Sequence, residues 1–407
     1  MGKFSNIITN LKTSNTDMVV RGHNKKFLVT LNPYDFSYDK KGDAYYFKYD
    51  AEKERLGNMQ KRLASSFCSY LTDKYGGNFV LDIPGLVIIE GGQKEDYTIT
   101  LKGVFSKSYR EDYHIYHTFT LDNVLKPRHD EEFEYNNKHR VFASVENSME
   151  RLKSYIQLQQ NKAMVNPEKA PFSPYLSLNH LEEDFKKIEQ DLVSVVMLDY
   201  LFLNNDRHTE NIEFSIMFDE NHEYHLVLSP IFDNDRTFGL DKTEKDILRD
   251  CENHRRREIY VNYTADMKYM IREKDCSDEF ASEMNFSHNY HSDVIVEYIR
   301  RQCLTNGVLD KEKLENNSIY RLYENYKNID IRQEFYDFMS EVAGISKVNS
   351  KLMDMEDEQE FIDRFNYLTK STLNSNHVRE LTENFNIRQS NLNRSMEARI
   401  PTNELIK

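Results

Sequence analysis

Residues 181–203 restrict the folding of this chain more than any other segment. Phe185, Ile188, Leu192, Val195, Val196 and Phe202 recur at helical spacing and spread over a broad face, which predicts a buried helix. Asn179, with Glu182 three residues on, predicts a capping box at its start. The apolar run then gives way to Asn204-Asn205-Asp206-Arg207-His208-Thr209-Glu210-Asn211, a polar stretch that reads as a short loop. Two strand-like runs, 213–218 and 224–228, predict a hairpin turning at Glu220-Asn221. Directly after it comes Ser229-Pro230-Ile231-Phe232-Asp233-Asn234-Asp235. Helix, loop and hairpin in this order carry Asp206, Asn211 and Asp233.

The chain upstream has a different character. Runs at 27–31, 44–49, 79–82, 86–90, 97–105 and 113–119 are rich in β-branched and aromatic residues. Asn32-Pro33, Lys41-Gly42-Asp43, Ile83-Pro84-Gly85 and Gly91-Gly92 read as turns between them. Met59, Leu63, Phe67 and Leu71 predict one helix, at 56–71, interrupting a mostly antiparallel sheet. After Leu121 helical spacing takes over, with Val145, Met149, Leu152 and Ile156 marking a helix at 144–163. A connector containing Pro167, Pro171 and Pro174 leads to the buried helix. Further stripes run at 294–303, 334–342, 358–368 and 378–385. The pattern predicts an α+β chain, with a β-rich region over 1–120 and a mostly helical region over 121–407.

Composition narrows the function classes. The 407 residues are 39% apolar and 30% charged, enough to bury a large core. A net charge of −14 argues against general nucleic-acid binding, which leaves a basic footprint. Cys68, Cys251, Cys276 and Cys303 are scattered, with no CxxC pair, so neither a cysteine zinc site nor a disulfide framework is expected. No apolar run reaches the length of a membrane span, and the N-terminus has no signal-peptide core. A cytoplasmic location is the simplest reading, and a secreted effector without a cleaved signal would look the same.

The three polar residues after the buried helix suit phosphoryl transfer from ATP. That reaction uses a carboxylate to orient the attacking hydroxyl, and an amide oxygen and a second carboxylate to hold Mg²⁺ on the phosphates. Asp206, Asn211 and Asp233 supply these groups in sequence order, with His208 supporting the loop by hydrogen bonding. Each has a plainer reading as a turn or cap residue, and for Asp235 the turn reading is preferred. Lys48 lies in the strand-like run Ala44-Tyr45-Tyr46-Phe47-Lys48-Tyr49, where it either meets a phosphate or snorkels to water. Gly22-His23-Asn24-Lys25-Lys26 forms either a phosphate-cradling turn or a solvated hairpin turn. His254-Arg255-Arg256-Arg257 reads as a solvated basic face. No HExxH, GxSxG or Ser/His/Asp order competes.

Asn205-Asp206-Arg207-His208-x-x-Asn211, followed by Ser229-Pro230-Ile231-Phe232-Asp233, resembles the catalytic core of the HipA-like kinases. Related signatures occur in phosphatidylinositol kinases. Gly22-His23-Asn24-Lys25-Lys26-Phe27 is similar to the HipA-like phosphate loop, and Tyr46-Phe47-Lys48-Tyr49 to the nucleotide-binding lysine strand. Gly103-Val104-Phe105-Ser106-Lys107-Ser108-Tyr109 is similar to the hinge. The resemblance implies a two-lobed protein-kinase-like fold, ATP and Mg²⁺ as cofactors, and phosphorylation of Ser or Thr on a protein substrate, with autophosphorylation open. It places Asp206 and His208 in the catalytic loop, Asn211 and Asp233 on the metal, and Gly22, Asn24, Lys26 and Lys48 on the nucleotide. Two departures stand out. The family carries a Glu early in the first-lobe helix to pair with the strand lysine, whereas this chain reads Gln60-Lys61-Arg62-Leu63-Ala64-Ser65, with Glu54 nearest. Asn24 replaces a Gln, and the phosphate loop begins at Gly22, leaving no room for the toxins' N-terminal subdomain and partnership with an antitoxin open. A lipid or small-molecule kinase and a nucleotide-binding pseudokinase remain as rival readings.

Overall fold

The computed structural model describes residues 3–5, 7–12, 17–19, 25–49, 57–90, 98–110, 114–125, 143–165, 174–204, 207, 209–235, 237–240, 270–271, 288–369 and 371–400. In chain order the strands β1 (Ile7–Lys12), β2 (Asp17–Val19), β3 (Lys25–Leu31) and β4 (Asp43–Tyr49) precede helix α1 (Gly57–Tyr75). Then come β5 (Asp82–Glu90), β6 (Thr98–Lys107), β7 (Ile115–Thr120), α2 (Leu121–Leu125), β8 (Ala143–Ser144), α3 (Val145–Val165) and α4 (Leu181–Phe202). β9 (Glu213–Phe218), β10 (Tyr224–Leu228) and β11 (Met270–Ile271) follow, then α5 (His288–Gln302), β12 (Leu304–Thr305) and β13 (Val308–Leu309). The chain ends in α6 (Lys311–Asn316), α7 (Ser318–Tyr326), α8 (Ile331–Ala343), α9 (Met355–Thr369) and α10 (Ser375–Arg399). The fold is α+β, as the sequence predicts. Among the described residues no helix is long and apolar enough to cross a membrane.

The chain divides into two compact units. The first comprises Met1–Glu111, Asn234–Val261 and Ile329–Asn386; the second comprises Asp112–Asp233, Asn262–Asn328 and Ile387–Lys407. Neither is continuous in sequence, so the division differs from a single cut after residue 120.

The first unit is built on a six-stranded sheet in the order β1-β5-β6-β4-β3-β2, antiparallel except for β1 against β5. Alternation sends Tyr45, Phe47 and Tyr49 of β4 to one face, where they pack with Phe27, Val29, Leu31, Ile83, Val87 and Phe105. The other face carries Lys48 and Tyr46, and α1 packs against β5 and β6. The predicted turn Ile83-Pro84-Gly85 is instead part of β5. β1 begins to pair only at Gly85, so Pro84, which has no N–H to donate, sits where that side of β5 is still an edge. Phe67 of α1 is fully buried among Phe238, Phe335 and Phe338 at 4.9–5.3 Å between ring centroids. Burying such a ring contributes about 1.5–3 kcal/mol, which explains why α8, far along the chain, belongs to this unit.

In the second unit β7, β9 and β10 form a three-stranded antiparallel sheet in the order β10-β9-β7. β7, expected with the first region, pairs with β9 instead, and Leu121 N–H donates to the Ile212 carbonyl at 2.8 Å. The α4 helix is the hub: it packs on β10, α3, α5 and α7. Its residues Val195–Leu198 and Tyr200–Phe202 are all buried. The helix starts at Leu181, as expected, but its cap differs. His180 is the N-cap, with no side-chain cap bond, so the Asn179–Glu182 capping box is not formed.

Candidate functional site

Of the predicted site residues, Lys26, Lys48, Asn211 and Asp233 are described. Gly22, Asn24, Asp206 and His208 lie outside the described residues, as do Glu54 and the basic run at 254–257.

In the first unit, β3 and β4 pair with Lys26 directly opposite Lys48. Both side chains therefore share a face, and Lys26 also lies over the Tyr46 ring at 5.4 Å. Like charges directly opposite each other repel, and an anion on this face relieves the repulsion. Lys48 is only 6% exposed, so it does not snorkel into water. Its acidic neighbour is Asp82, at the start of β5. The ladder Asp82–Ser106–Tyr46 runs across β5, β6 and β4 and puts Asp82 on the Lys48 face. Burial raises the Asp82 pKa; Lys48, then hydrogen bonds from Ser106 and Ser65, act in the opposite direction, and Asp235 adds to the rise. Ser65 of α1 donates to the Asp82 carboxylate, and Ser69 Oγ accepts from the Asp82 N–H at 3.0 Å.

Arg62 of α1, in the stretch 60–65 that holds no acid, pairs with Asp235. The side chains are 4% and 13% exposed. Asp235 stands in a turn, as the sequence reading has it, and is also the half-buried ion-pair partner of Arg62. Gly103, in the segment similar to a hinge, is inside β6 opposite Tyr49. A Cβ there would lie 2.1 Å from the Lys48 carbonyl oxygen, so only glycine lets β4 and β6 approach at this point.

In the second unit, α4 ends at Leu203 in the left-handed conformation (φ 55°), unusual for a leucine. Arg207 then makes a fork to Asp199 of α4, Nε to Oδ2 at 3.0 Å and Nη2 to Oδ1 at 3.1 Å. Its Nη1 donates to the Phe232 carbonyl at 2.7 Å. Asn204 Nδ2 donates to the same Asp199 at 2.9 Å. One buried guanidinium therefore ties the loop to the helix before it and to the residue preceding Asp233. Asn211 is buried in a short 3₁₀ turn, Thr209–Asn211, directly before β9. The register Leu228↔Phe214 brings the start of β9 and the end of β10 to the same end of the hairpin. Ser215 Oγ and Ser229 Oγ, 2.5 Å apart, and the Ser229 N–H to Glu213 carbonyl bond at 2.8 Å pin that end. Asp233 itself has φ 55°. That left-handed conformation is uncommon outside glycine, and Asp is among the residues that adopt it most readily.

The sequence reading missed Asp82, Asp199 and the Arg62–Asp235 pair. Asp199 had a signal: it is the one acid in the apolar run from Val195 to Phe202. Arg62 had one too, as a cation inside the apolar stripe of α1.

The sequence matches no protein-family model and no curated protein. Among solved structures, the chain is similar to the proinflammatory kinase CtkA of Helicobacter pylori, with a TM-score of 0.43 and 13% identity over 96% of this chain and 98% of that one. It is also similar to a chain of the HipA, HipB and operator DNA complex of Shewanella oneidensis MR-1, with a TM-score of 0.34 and 11% identity over 92% of this chain and 67% of that one.

Proposed function

We propose that this chain is an ATP- and Mg²⁺-dependent kinase that transfers the γ-phosphoryl group to Ser or Thr of a protein. The observation that carries the reading is the Arg207 tie. It fixes the residue after Asp206 both to α4 and to the backbone leading into Asp233, while the β9–β10 hairpin holds Asn211 at the end where Asp233 begins. Asp206 orients the acceptor hydroxyl and takes its proton, and His208 supports the loop. Asn211 and Asp233 offer hard oxygen donors of the kind Mg²⁺ selects. Bound there, Mg²⁺ would neutralise charge building on the phosphates. Lys48 and Lys26, two cations on one sheet face, suit a polyphosphate, and Gly22 and Asn24 directly precede the strand of Lys26 in sequence. The pseudokinase reading drew on the missing helix Glu. Asp82, whose carboxyl feels the Lys48 charge, offers an acidic partner from the sheet in its place.

The test is transfer of labelled γ-phosphate from ATP by wild type and Asp206→Asn in parallel, with and without a generic protein acceptor. Label on Ser or Thr with wild type, reduced about 10²–10⁴-fold in the variant, is expected. Equal labelling by both would remove Asp206 from the chemistry. ATP binding without transfer by either would overturn the protein-kinase reading and send the search to lipid acceptors.

A further inference from the structure

At the far end of α4 from the Asp206 loop, a second cluster of ligand-type side chains has no part in phosphoryl transfer. His180, the N-cap of α4, places Nε2 3.1 Å from Glu223 Oε2. The His180 and His225 rings are stacked with centroids 5.0 Å apart and 21° between their planes. One ligand atom from each of His180, Glu223 and His225 lies within 4.8 Å of the others. Glu223 and His225 flank Tyr224, the first residue of β10, so helix and hairpin tip converge here.

Two features go beyond chance proximity. His225 Nδ1 meets Asp184 Oδ1 at 3.2 Å, and Asp184 is buried and anchored by the Leu226 N–H at 2.8 Å. A carboxylate behind one ring nitrogen orients a ligating histidine and selects its tautomer. His225 Nε2 lies 3.9 Å from Asp219 Oδ2. Asp219, in turn, accepts the Asn221 and Glu223 backbone N–H groups at 2.8 and 2.9 Å, which sets the turn that presents Glu223.

We propose that His180, His225 and Glu223 bind a transition-metal ion of the Zn²⁺ class, with Asp184 positioning His225 from behind. Two imidazoles and a carboxylate are a zinc donor set, with a fourth position open to water or to Asp219. Tetrahedral ligands at about 2.0–2.1 Å stand roughly 3.3 Å from one another. Small side-chain rotations close the present spacing to that value. Imidazole donors favour zinc, copper or nickel over Mg²⁺, which separates this site from the nucleotide metal. The ion clamps the start of α4 to the β9–β10 hairpin, the two elements that carry the Asp206 loop and Asn211 at their other ends.

The test uses tag-free full-length protein stripped with a chelator. It is titrated with Zn²⁺ by calorimetry and with Co²⁺ as an optical probe of tetrahedral geometry. One equivalent of Zn²⁺ and a visible Co²⁺ band are expected with wild type, with a rise in melting temperature and no competition from Mg²⁺. His180→Ala and His225→Ala should each abolish all three signals, and Asp184→Asn should weaken binding about 10–100-fold. Far-UV circular dichroism checks that the variants fold. His180 lies at the surface, and its variant decides the matter should His225→Ala unfold. Absence of saturable binding by wild type, or binding unchanged in His180→Ala, overturns the proposal.

Discussion

Removing the carboxylate beside Lys48 tests the polar face of the first unit most directly. Asp82 and Lys48 stand on strands separated by β6 and are two residues out of step. That puts their Cα atoms about 12 Å apart, from roughly 10 Å across two strand spacings and 7 Å along the strand. An extended lysine stem is long enough to span much of that gap, and Lys48 acts on the Asp82 carboxyl through its charge. At a separation of about 5 Å and an effective dielectric of about 20, their attraction is about 3 kcal/mol. Asp82→Asn leaves a 6% exposed ammonium without its carboxylate, and Lys48→Met leaves a fully buried carboxylate without its cation. Lys48→Met should cost about 3–5 kcal/mol. Asp82→Asn mimics the protonated acid that burial favours and should cost less, and the double variant, with neither charge left, should cost less than Lys48→Met. The chain has no Trp, so urea unfolding is best followed by far-UV circular dichroism. The sign with pH is also fixed. Burial raises the Asp82 pKa above its usual 3.8, so the native state prefers the protonated acid. The stability this adds is complete below pH 3.8 and is lost as pH rises through the raised native value. Asp82→Asn should flatten that part of the profile. Costs that add within about 0.5 kcal/mol in the double variant would mean that the two groups are not coupled, and the reasoning would fail.

Three further outcomes follow from single contacts. Gly103→Ala places a Cβ 2.1 Å from the Lys48 carbonyl oxygen and 2.9 Å from the Phe47 ring; it should cost about 1–3 kcal/mol in thermal melts and raise the KM for ATP. Arg207→Lys keeps the charge but not the fork to Asp199 or the reach to the Phe232 carbonyl. It should lower kcat about 100-fold with an unchanged far-UV spectrum, and unaltered turnover would strip the tie of its role. Arg62→Met or Asp235→Asn alone should destabilise by about 3–5 kcal/mol, and Arg62→Met/Asp235→Leu together should recover most of that in the same melts.

Local pattern made some of this legible in the sequence, and distant pairing hid the rest. The hairpin Glu213–Phe218 and Tyr224–Leu228 has the bounds that alternation predicts, because β-hairpin pairing is local in sequence. Helix α4 is equally clear, since its apolar face repeats over many turns. Asp82 was not visible. An acid at the start of a strand reads as turn chemistry, and only the register with β6 and β4 shows what it faces. β7 looked like one more strand of the first sheet because nothing in residues 115–120 names β9 as its partner. The small β12–β13 hairpin did have a signal, Asn306-Gly307, with φ of 51° and 80° as such turns require. The capping box is absent because His180, not Asn179, takes the cap position before Leu181, while Asp184 in the first turn is held by Leu226 and His225 of β10.

The charge pattern of the first unit has a logic of its own. In the HipA-like pattern the first helix supplies an acid to the strand lysine. Here Asp82, in the sheet, is the acid that feels the Lys48 charge, and the helix pairs a base, Arg62, with Asp235 two residues beyond Asp233. Helix α1 is therefore ion-paired to the segment that follows Asp233 rather than to Lys48. It reaches Asp82 through the hydroxyls of Ser65 and Ser69, which carry no formal charge of their own. A shift of α1 would strain the Arg62–Asp235 pair before it disturbed Lys48, because two nearly buried charges lose far more on separation than a hydroxyl–carboxylate contact. Lys48 is set by β4, β6 and Gly103, elements of one rigid sheet. The lysine face and the Asp235 segment thus answer to different supports, so Arg62 variants should move kcat and stability while leaving the KM for ATP close to wild type.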